Sequence, residues 1–593
     1  MQEKIKNKFK LVSNLIESTQ FIEWTFIIVS IIAVVCWVID LLCFGIDAGG
    51  IKIFFNSFND FIADFVNCVG YSASGDPYNC EFYTGLHEKA YPPINYLFFR
   101  PYAKFVNIEQ YYSENRFLEM SREPAFMMMY ILTICIIMMT LFSLVKGYVH
   151  GGEMKKNLVA FVITISVPTV FTIERGNSTL LAALFLIIFV FQYDNQNSFI
   201  REIALISLGL AFAFKISPAV FGFLLVIKKR YKDAIRTAIY GVILLLLPFL
   251  AFKGGFDNIT LWIKNMSLNM EHYRYSDGLT LSSSLDYYHF SSLAQGFRGI
   301  GRYILCIYLL ICSVVCKRNW EKISALTLIC LFASPFSHYY CALYMIPALV
   351  SFLNEKNNRI GDCVALIAFL CVFMFNANTL LTDYHIFPIL LTLLIGLYGL
   401  REILESITIS ERFRILKKVV VVLSWTNLFV FLCLAVVIAF YIVNANYETS
   451  VMNKYDYFIF GDILTYNRYI DIIQNIIVFS ILFLVLDKIS TRYGRRKLEK
   501  ATNEKQKNQI SKSFHKIYVF RLSGLVLLLI VAILLKTQVD SKVNLDKDIC
   551  RRCAFVMLDK EDYSNAMNYF KSIKEYKDSE YYIDYCMKHL EIN

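Results

Sequence analysis

Long apolar runs recur along almost the whole chain, and several approach the ~20 residues that a helix needs to cross a bilayer. The first, Phe26 to Phe44, reads FIIVSIIAVVCWVIDLLCF. Backbone in lipid must satisfy its own hydrogen bonds, which leaves helices or closed barrels. Barrel strands alternate polar and apolar residues over ~10 positions, whereas these runs are continuous. With 57% hydrophobic and only 18% charged residues among 593, a soluble enzyme is excluded and an all-α polytopic membrane protein remains.

The first run follows a lysine-rich head, MQEKIKNKFK. It is too long for the apolar part of a signal peptide and lacks an Ala-x-Ala cleavage site, so it reads as a retained helix. The net charge of +11 does not point to nucleic acid, because the basic residues sit in short clusters between apolar runs. Those clusters are the N-terminus, Lys146 to Lys156, Lys228 to Arg236, Lys317 to Lys322, Lys356 to Arg359, Arg401 to Lys418 and Lys488 to Lys516. All of them fall inside if about fifteen transmembrane or re-entrant helices are drawn. Their starts lie near residues 23, 125, 157, 178, 202, 216, 236, 302, 323, 339, 360, 384, 418, 470 and 516. The pair around Lys215 is short enough to be broken helices lining a cavity.

This topology puts the N-terminus inside and four polar segments outside. They are a long first loop (Asp47 to Glu123), the turn Glu174-Arg175-Gly176-Asn177, the loop from Lys253 to Arg298, and the turn from Ser334 to Tyr340. A membrane-embedded enzyme would draw its site from this set. The abundant aromatics, 16% of residues, read mainly as interface belt and packing, with Trp262 available to stack on a sugar. The sixteen cysteines lie mostly in apolar runs as small hydrophobes. Cys550 and Cys553 form a lone CxxC, too little for a zinc site. Cys68 and Cys80 could be bridged in an external loop, although nothing in the sequence demands it.

Asp60 and Asp64 are four residues apart and share one face of a helix. They are either the solvated edge of an interfacial helix or carboxylates aimed at a reaction. After them come the turn Gly75-Asp76-Pro77-Tyr78, then Tyr91-Pro92-Pro93, then Arg100-Pro101. In this order the loop resembles the first outer loop of glycosyltransferase family 87, in the GT-C superfamily. Further along, Glu174 to Asn177 is similar to that family's Gly-Gln/Asn turn, and GLAFAFKISP (Gly209 to Pro218) to its Gly-rich helix ending in Ile-Lys-Pro, with the proline two positions later. Ser334-Pro335-Phe336-Ser337-His338-Tyr339 resembles its Ser-Pro-x-x-Trp-x-His turn without the tryptophan. The resemblance covers roughly residues 25–400.

It implies a GT-C catalytic core over residues 1–400, further transmembrane helices over 401–540 with a basic cytoplasmic linker at 488–516, and a small tail at 541–593. The tail, DYSNAMNYFKSIKEYKDSEYYIDYC, resembles one tetratricopeptide-like hairpin. Such hairpins need neighbours to bury a core, so it would lean on the membrane domain or a protein partner. The implied reaction moves a hexose, by family resemblance mannose, from a polyprenyl-phosphate donor to a glycolipid or cell-envelope glycan, with inversion. An outer-loop aspartate is the general base, Asp60 at the family position and Asp64 behind it. Localisation would be the bacterial cytoplasmic membrane, with the site on the outer face.

Lys215 interrupts an apolar run, where a charge usually faces a cavity. It would meet the lipid phosphate or else snorkel to head groups. Arg175 would grip phosphate or pair locally with Glu174. His338 would contact the donor or serve as a structural hydrogen-bonder. Asn177, Tyr91 and Arg100 belong to the matching motifs, and His272, Arg274 and His289 are further contacts that the sequence leaves unranked. No P-loop, dinucleotide fingerprint or Asp-x-Asp motif is visible, so no cofactor is expected and metal dependence is neither required nor excluded. A lipid-linked sugar flippase and a non-catalytic scaffold are the rival functions.

Overall fold

The computed structural model describes residues 21–44, 61–80, 88–111, 117–273, 278–287, 291–355, 360–374 and 385–407, and most of 551–592. Among these residues every regular element is helical, in agreement with an all-α polytopic membrane protein. The spans expected near 418, 470 and 516, the basic linker, Asp60, Cys550 and Cys553 lie outside the described residues, as do Arg274 and His289.

Helices α1 (Phe21–Phe44) and α4 (Pro124–Tyr148) enclose two short helices of the first loop, α2 (Ala63–Ala73) and α3 (Pro93–Phe99). Then follow α5 (Glu153–Thr164), α6 (Val167–Arg175), α7 (Thr179–Gln192), α8 (Ser198–Phe214), α9 (Phe223–Ile227), α10 (Tyr231–Leu246) and α11 (Asn258–His272). The second half continues with α12 (Leu281–Tyr287), α13 (Ser291–Arg298), α14 (Ile300–Val315), α15 (Asn319–Phe332), α16 (Ile346–Asn354), α17 (Ile360–Phe373) and α18 (Ile386–Ile407). Two further helices, α19 (Tyr563–Ser572) and α20 (Ser579–Ile592), pack around Ala566, Phe570, Ile583 and Cys586.

By length and composition, three segments among the described residues can cross a bilayer, 22–39, 124–148 and 231–251, and two bent pairs (153–175 and 292–315) raise the number to five. The expected count of about fifteen included re-entrant helices and three spans outside the described residues. Four further apolar segments are 10–17 residues long, 179–192, 217–227, 339–354 and 361–373. The expected interruption at Lys215 is present: α8 stops at Phe214, Lys215 is extended, and a 3₁₀ turn over Ser217–Gly222 leads into α9.

The body has two chemically distinct ends. At one, the turns are laced by ion pairs and amides. Lys155 meets the buried Glu23 at 2.6 Å, Arg318 meets the buried Asp362 at 2.6 Å, and Lys228 meets Asp194 at 2.9 Å. Asn354 donates to Tyr148 C=O and accepts from His150 N–H, and Gln192 donates to Tyr148 Oη. Three of the seven basic clusters read from the sequence, Lys146 to Lys156, Lys228 to Arg236 and Lys317 to Lys322, gather here. At the opposite end the first loop, the Glu174–Asn177 turn, Lys215 and the Ser334–Tyr340 turn converge. A second hydrophobic cluster lies beneath them, centred on Phe65, whose ring contacts Phe99, Tyr102, Phe126 and Tyr130 with centroids 4.8–5.2 Å apart.

Candidate active site

The Glu174–Asn177 turn shows how local sequence builds the site. α6 ends in a Schellman arrangement, in which Gly176 N–H donates to Ile173 C=O and Asn177 N–H donates to Thr172 C=O. This requires a left-handed residue after the helix, and Gly176 supplies it at φ 67°. Asn177 then caps α7: its Oδ1 accepts from Thr179 N–H (2.9 Å) and Thr179 Oγ1 (2.7 Å). Since the oxygen faces the helix, the amide nitrogen must point the other way. There it donates to Asp64 Oδ2 at 2.7 Å and lies 3.5 Å from Tyr91 Oη.

Asp64 is aimed by its neighbour. Phe65 is 1% exposed and locks α2, while Ile62 N–H donates to Glu174 C=O at 2.7 Å. Ile62 sits at φ 52°, a strained conformation for a β-branched residue, held by that bond and by complete burial of its side chain. Arg175 Nη2 reaches Asp64 Oδ1 at 3.4 Å. Burial pushes the Asp64 carboxyl up, but Arg175, the Asn177 hydrogen bond, Lys215 and His338 together outweigh it and hold the group below its ordinary value. The carboxylate is therefore ionised at neutral pH.

Gly176 also touches this helix. A Cβ there would lie 2.6 Å from Phe65 Cβ and 3.2 Å from Phe65 N. Gly176→Ala combines left-handed strain of about 1–2 kcal/mol with overpacking of about 1–3 kcal/mol. It is expected to lower the apparent Tm in detergent by several degrees. Because Phe65 must shift, it should also lower activity more than a comparable Gly254→Ala change far from Asp64. Equal thermal unfolding of wild type and Gly176→Ala would remove this account of the turn.

Lys215 is placed by the first loop. Asn95 Nδ2 donates to Phe214 C=O at 3.0 Å and to Pro92 C=O at 3.1 Å, satisfying an end-of-helix carbonyl and joining the Tyr-Pro-Pro segment to the break in α8. Lys215 Nζ then lies 4.7 Å from the centroid of Tyr91 and 5.6 Å from that of Tyr340. Among the described residues it has no hydrogen-bond or ion-pair partner. His338 packs against Tyr340, Phe336 and Tyr273, with centroids 5.0, 4.2 and 5.9 Å away.

One carboxylate, two cations, an amide and an imidazole thus share a single aromatic-lined end of the helical body. Among the described residues no cluster of His, Cys, Asp and Glu could hold a metal ion. The family model for glycosyltransferase family 87 matches residues 90–335. That match indicates a glycosyltransferase, an enzyme class with a sugar donor and an acceptor, and the apolar helices fit a membrane protein. No curated protein and no solved structure matches it.

The family 87 region is narrower than the 25–400 expected. It contains Tyr91, Arg100, Arg175, Asn177, Lys215 and His272, and it leaves Asp64 and His338 just beyond its limits. The structure gathers Asp64, Arg175, Asn177, Tyr91, Lys215 and His338. Arg175 reaches across to Asp64, so the reading of a purely local pair with Glu174 is too narrow. Arg100 is elsewhere: exposed, it faces Ala251 C=O at 3.4 Å and the Phe252 ring, beside the Gly75 turn, because the 3₁₀ helix begun by Arg100-Pro101 turns it away from the cluster. His272 is exposed at the rim, edge-on to Tyr273 at 4.7 Å. Trp262 is no open platform either, since it is 5% exposed and its indole donates to Ala90 C=O. Cys68 and Cys80 are free buried thiols.

The turn at Gly75–Tyr78 contributes indirectly. Tyr78 is fully buried and its hydroxyl donates to Tyr91 C=O at 3.1 Å. Sequence reasoning missed Asn95, Tyr340, Tyr273 and Glu88. Asn95 and Tyr340 adjoin recognised motifs, which was the available signal.

Proposed function

We propose that the chain transfers a hexose, mannose by family resemblance, from a polyprenyl-phosphate carrier to a glycolipid or cell-envelope glycan outside a bacterial cytoplasmic membrane, with inversion. The observation that carries this reading is the Asp64 carboxylate, held by Arg175 and Asn177 at the same end as Lys215. The acceptor oxygen attacks the anomeric carbon from the face opposite the phosphate, and its proton passes to Asp64. The electron pair of the breaking C1–O bond leaves with the phosphate, whose added charge Lys215 and Arg175 stabilise. A hydroxyl turns acidic only as its new bond forms, so a weakly basic but ionised carboxylate is adequate for late proton transfer. Asp64 thereby takes the role that the sequence offered first to Asp60.

The outward orientation is supported by the division of the body into a basic end and a site end. Nucleotide sugars are cytoplasmic, so an external site requires a lipid carrier. The test is in vitro transfer by purified full-length protein in nanodiscs supplied with radiolabelled polyprenyl-phosphate hexoses. Label should move to a glycolipid acceptor from the polyprenyl-phosphate sugar and not from nucleotide sugars. Label that crosses the bilayer on an uncleaved carrier would make the protein a flippase instead.

A further inference from the structure

Glu88 is a further carboxylate of this end that the Asp64 cluster does not use. Glu88 Oε1 accepts a hydrogen bond from Tyr273 Oη at 2.5 Å. The Tyr273 ring stacks on Phe336 with centroids 5.4 Å apart and planes at 18°, and its edge meets His338 at 5.9 Å. From His338 the wall runs through Tyr340 to Lys215. Glu88 and Lys215 therefore stand at opposite ends of one aromatic wall. The two carboxylates also act on one hydroxyl: burial pushes Tyr91 up, and Asp64, Cys68, Tyr340 and Glu88 push it further.

Both sides of this wall are fixed by backbone contacts. Leu279 N–H donates to Ser337 C=O at 2.8 Å, and a Cβ at Gly278 would lie 2.4 Å from the same oxygen. Only glycine lets that loop seal against the turn carrying Phe336 and His338. On the other side, Lys89 is buried and donates to Cys80 C=O. Asn265 donates to Lys89 C=O at 3.3 Å, and Trp262 donates to Ala90 C=O at 3.0 Å. The residues directly after Glu88 are thus pinned.

Charge assigns the two ends of the wall to different ligands. A carboxylate repels phosphate and accepts from hydroxyls, so the Glu88 end disfavours the donor's lipid phosphate. A flat aromatic pair beside a carboxylate suits a neutral pyranose, with the apolar face of the ring on the aromatics and its hydroxyl edge on the carboxylate. We infer that Glu88, Tyr273 and Phe336 form the acceptor subsite, which takes a neutral pyranose ring through a hydroxyl bound to Glu88. Tyr273 is the positioning residue that orients the carboxylate. The inference rests on the glycosyltransfer reading above and names the acceptor class for it.

The test uses full-length protein in phospholipid nanodiscs with octyl mannoside as the acceptor probe. Glu88→Gln keeps size and removes charge. It should raise the acceptor KM about tenfold or more and leave donor KM and donor hydrolysis by water within about twofold. Tyr273→Phe, which keeps the stacking ring, should raise the acceptor KM by a smaller factor. Saturation-transfer NMR of octyl mannoside supplies a readout independent of chemistry: wild type binds and Glu88→Gln does not. Binding with this dependence but no sugar release from polyprenyl-phosphate hexose would sink the donor reading and keep the subsite. A Glu88→Gln protein with unchanged acceptor KM and binding, or with its loss in donor KM, would overturn the subsite.

Discussion

Asp64→Asn should leave a folded protein that transfers sugar about 10²–10⁴-fold more slowly, the range contributed by a positioned general base. The fold survives because α2 is anchored by Phe65, Val66 and the Ile62–Glu174 backbone bond rather than by the carboxylate. The stability effect has a defined sign. The folded-state pKa of Asp64 lies below its ordinary value of 3.8, so the ionised group contributes stability above the unfolded value that is lost as pH falls through the folded one. Wild type should therefore exceed Asp64→Asn in apparent Tm at neutral pH, with the gap closing below about pH 4. For the same reason, an acid limb of the rate profile between about pH 5 and 7 would belong to another group. Asp60→Asn serves as the partner experiment. If it abolishes transfer while Asp64→Asn retains it, the base is misassigned.

The contrast between these aspartates shows what the sequence could and could not convey. Runs of apolar residues gave the fold class because burying a hydrogen-bonded backbone in lipid allows so few solutions. Turns were legible for the same local reason: Gly176 and Asn177 each satisfy a helix-end requirement within five residues. Spacing alone could not decide between Asp60 and Asp64, since both precede a phenylalanine. The choice of Asp64 depends on Arg175 and Asn177, residues 111 and 113 positions away. The Glu88–Tyr273 contact, 185 positions apart, left no trace in any local pattern. Arg100 and Trp262 looked functional by residue type, and each is committed to holding backbone near the first loop. The break at Lys215 was legible too, because a lysine inside an apolar run followed by Ile-Ser-Pro rarely continues a helix.

Lys215→Met should separate function from stability by moving them in opposite directions. Its ammonium touches the faces of Tyr91 and Tyr340 and has no anionic or carbonyl partner among the described residues. Each cation–π contact returns about 0.5–2 kcal/mol, whereas removing an ammonium from water costs several kcal/mol even after relaxation. Methionine has a similar shape and no charge to desolvate, so the variant should unfold at an equal or higher temperature than wild type. Its transfer rate should nevertheless fall about 10²–10³-fold, the usual loss when one group stabilising a developing anion is deleted. Lys215→Arg should recover little, because a planar guanidinium is longer and cannot occupy the slot between two rings as a compact point charge. A lysine kept for packing or for snorkelling to head groups predicts the reverse, lower stability with nearly full activity. Thermal unfolding and single-turnover transfer, measured on the same purified samples, distinguish the two.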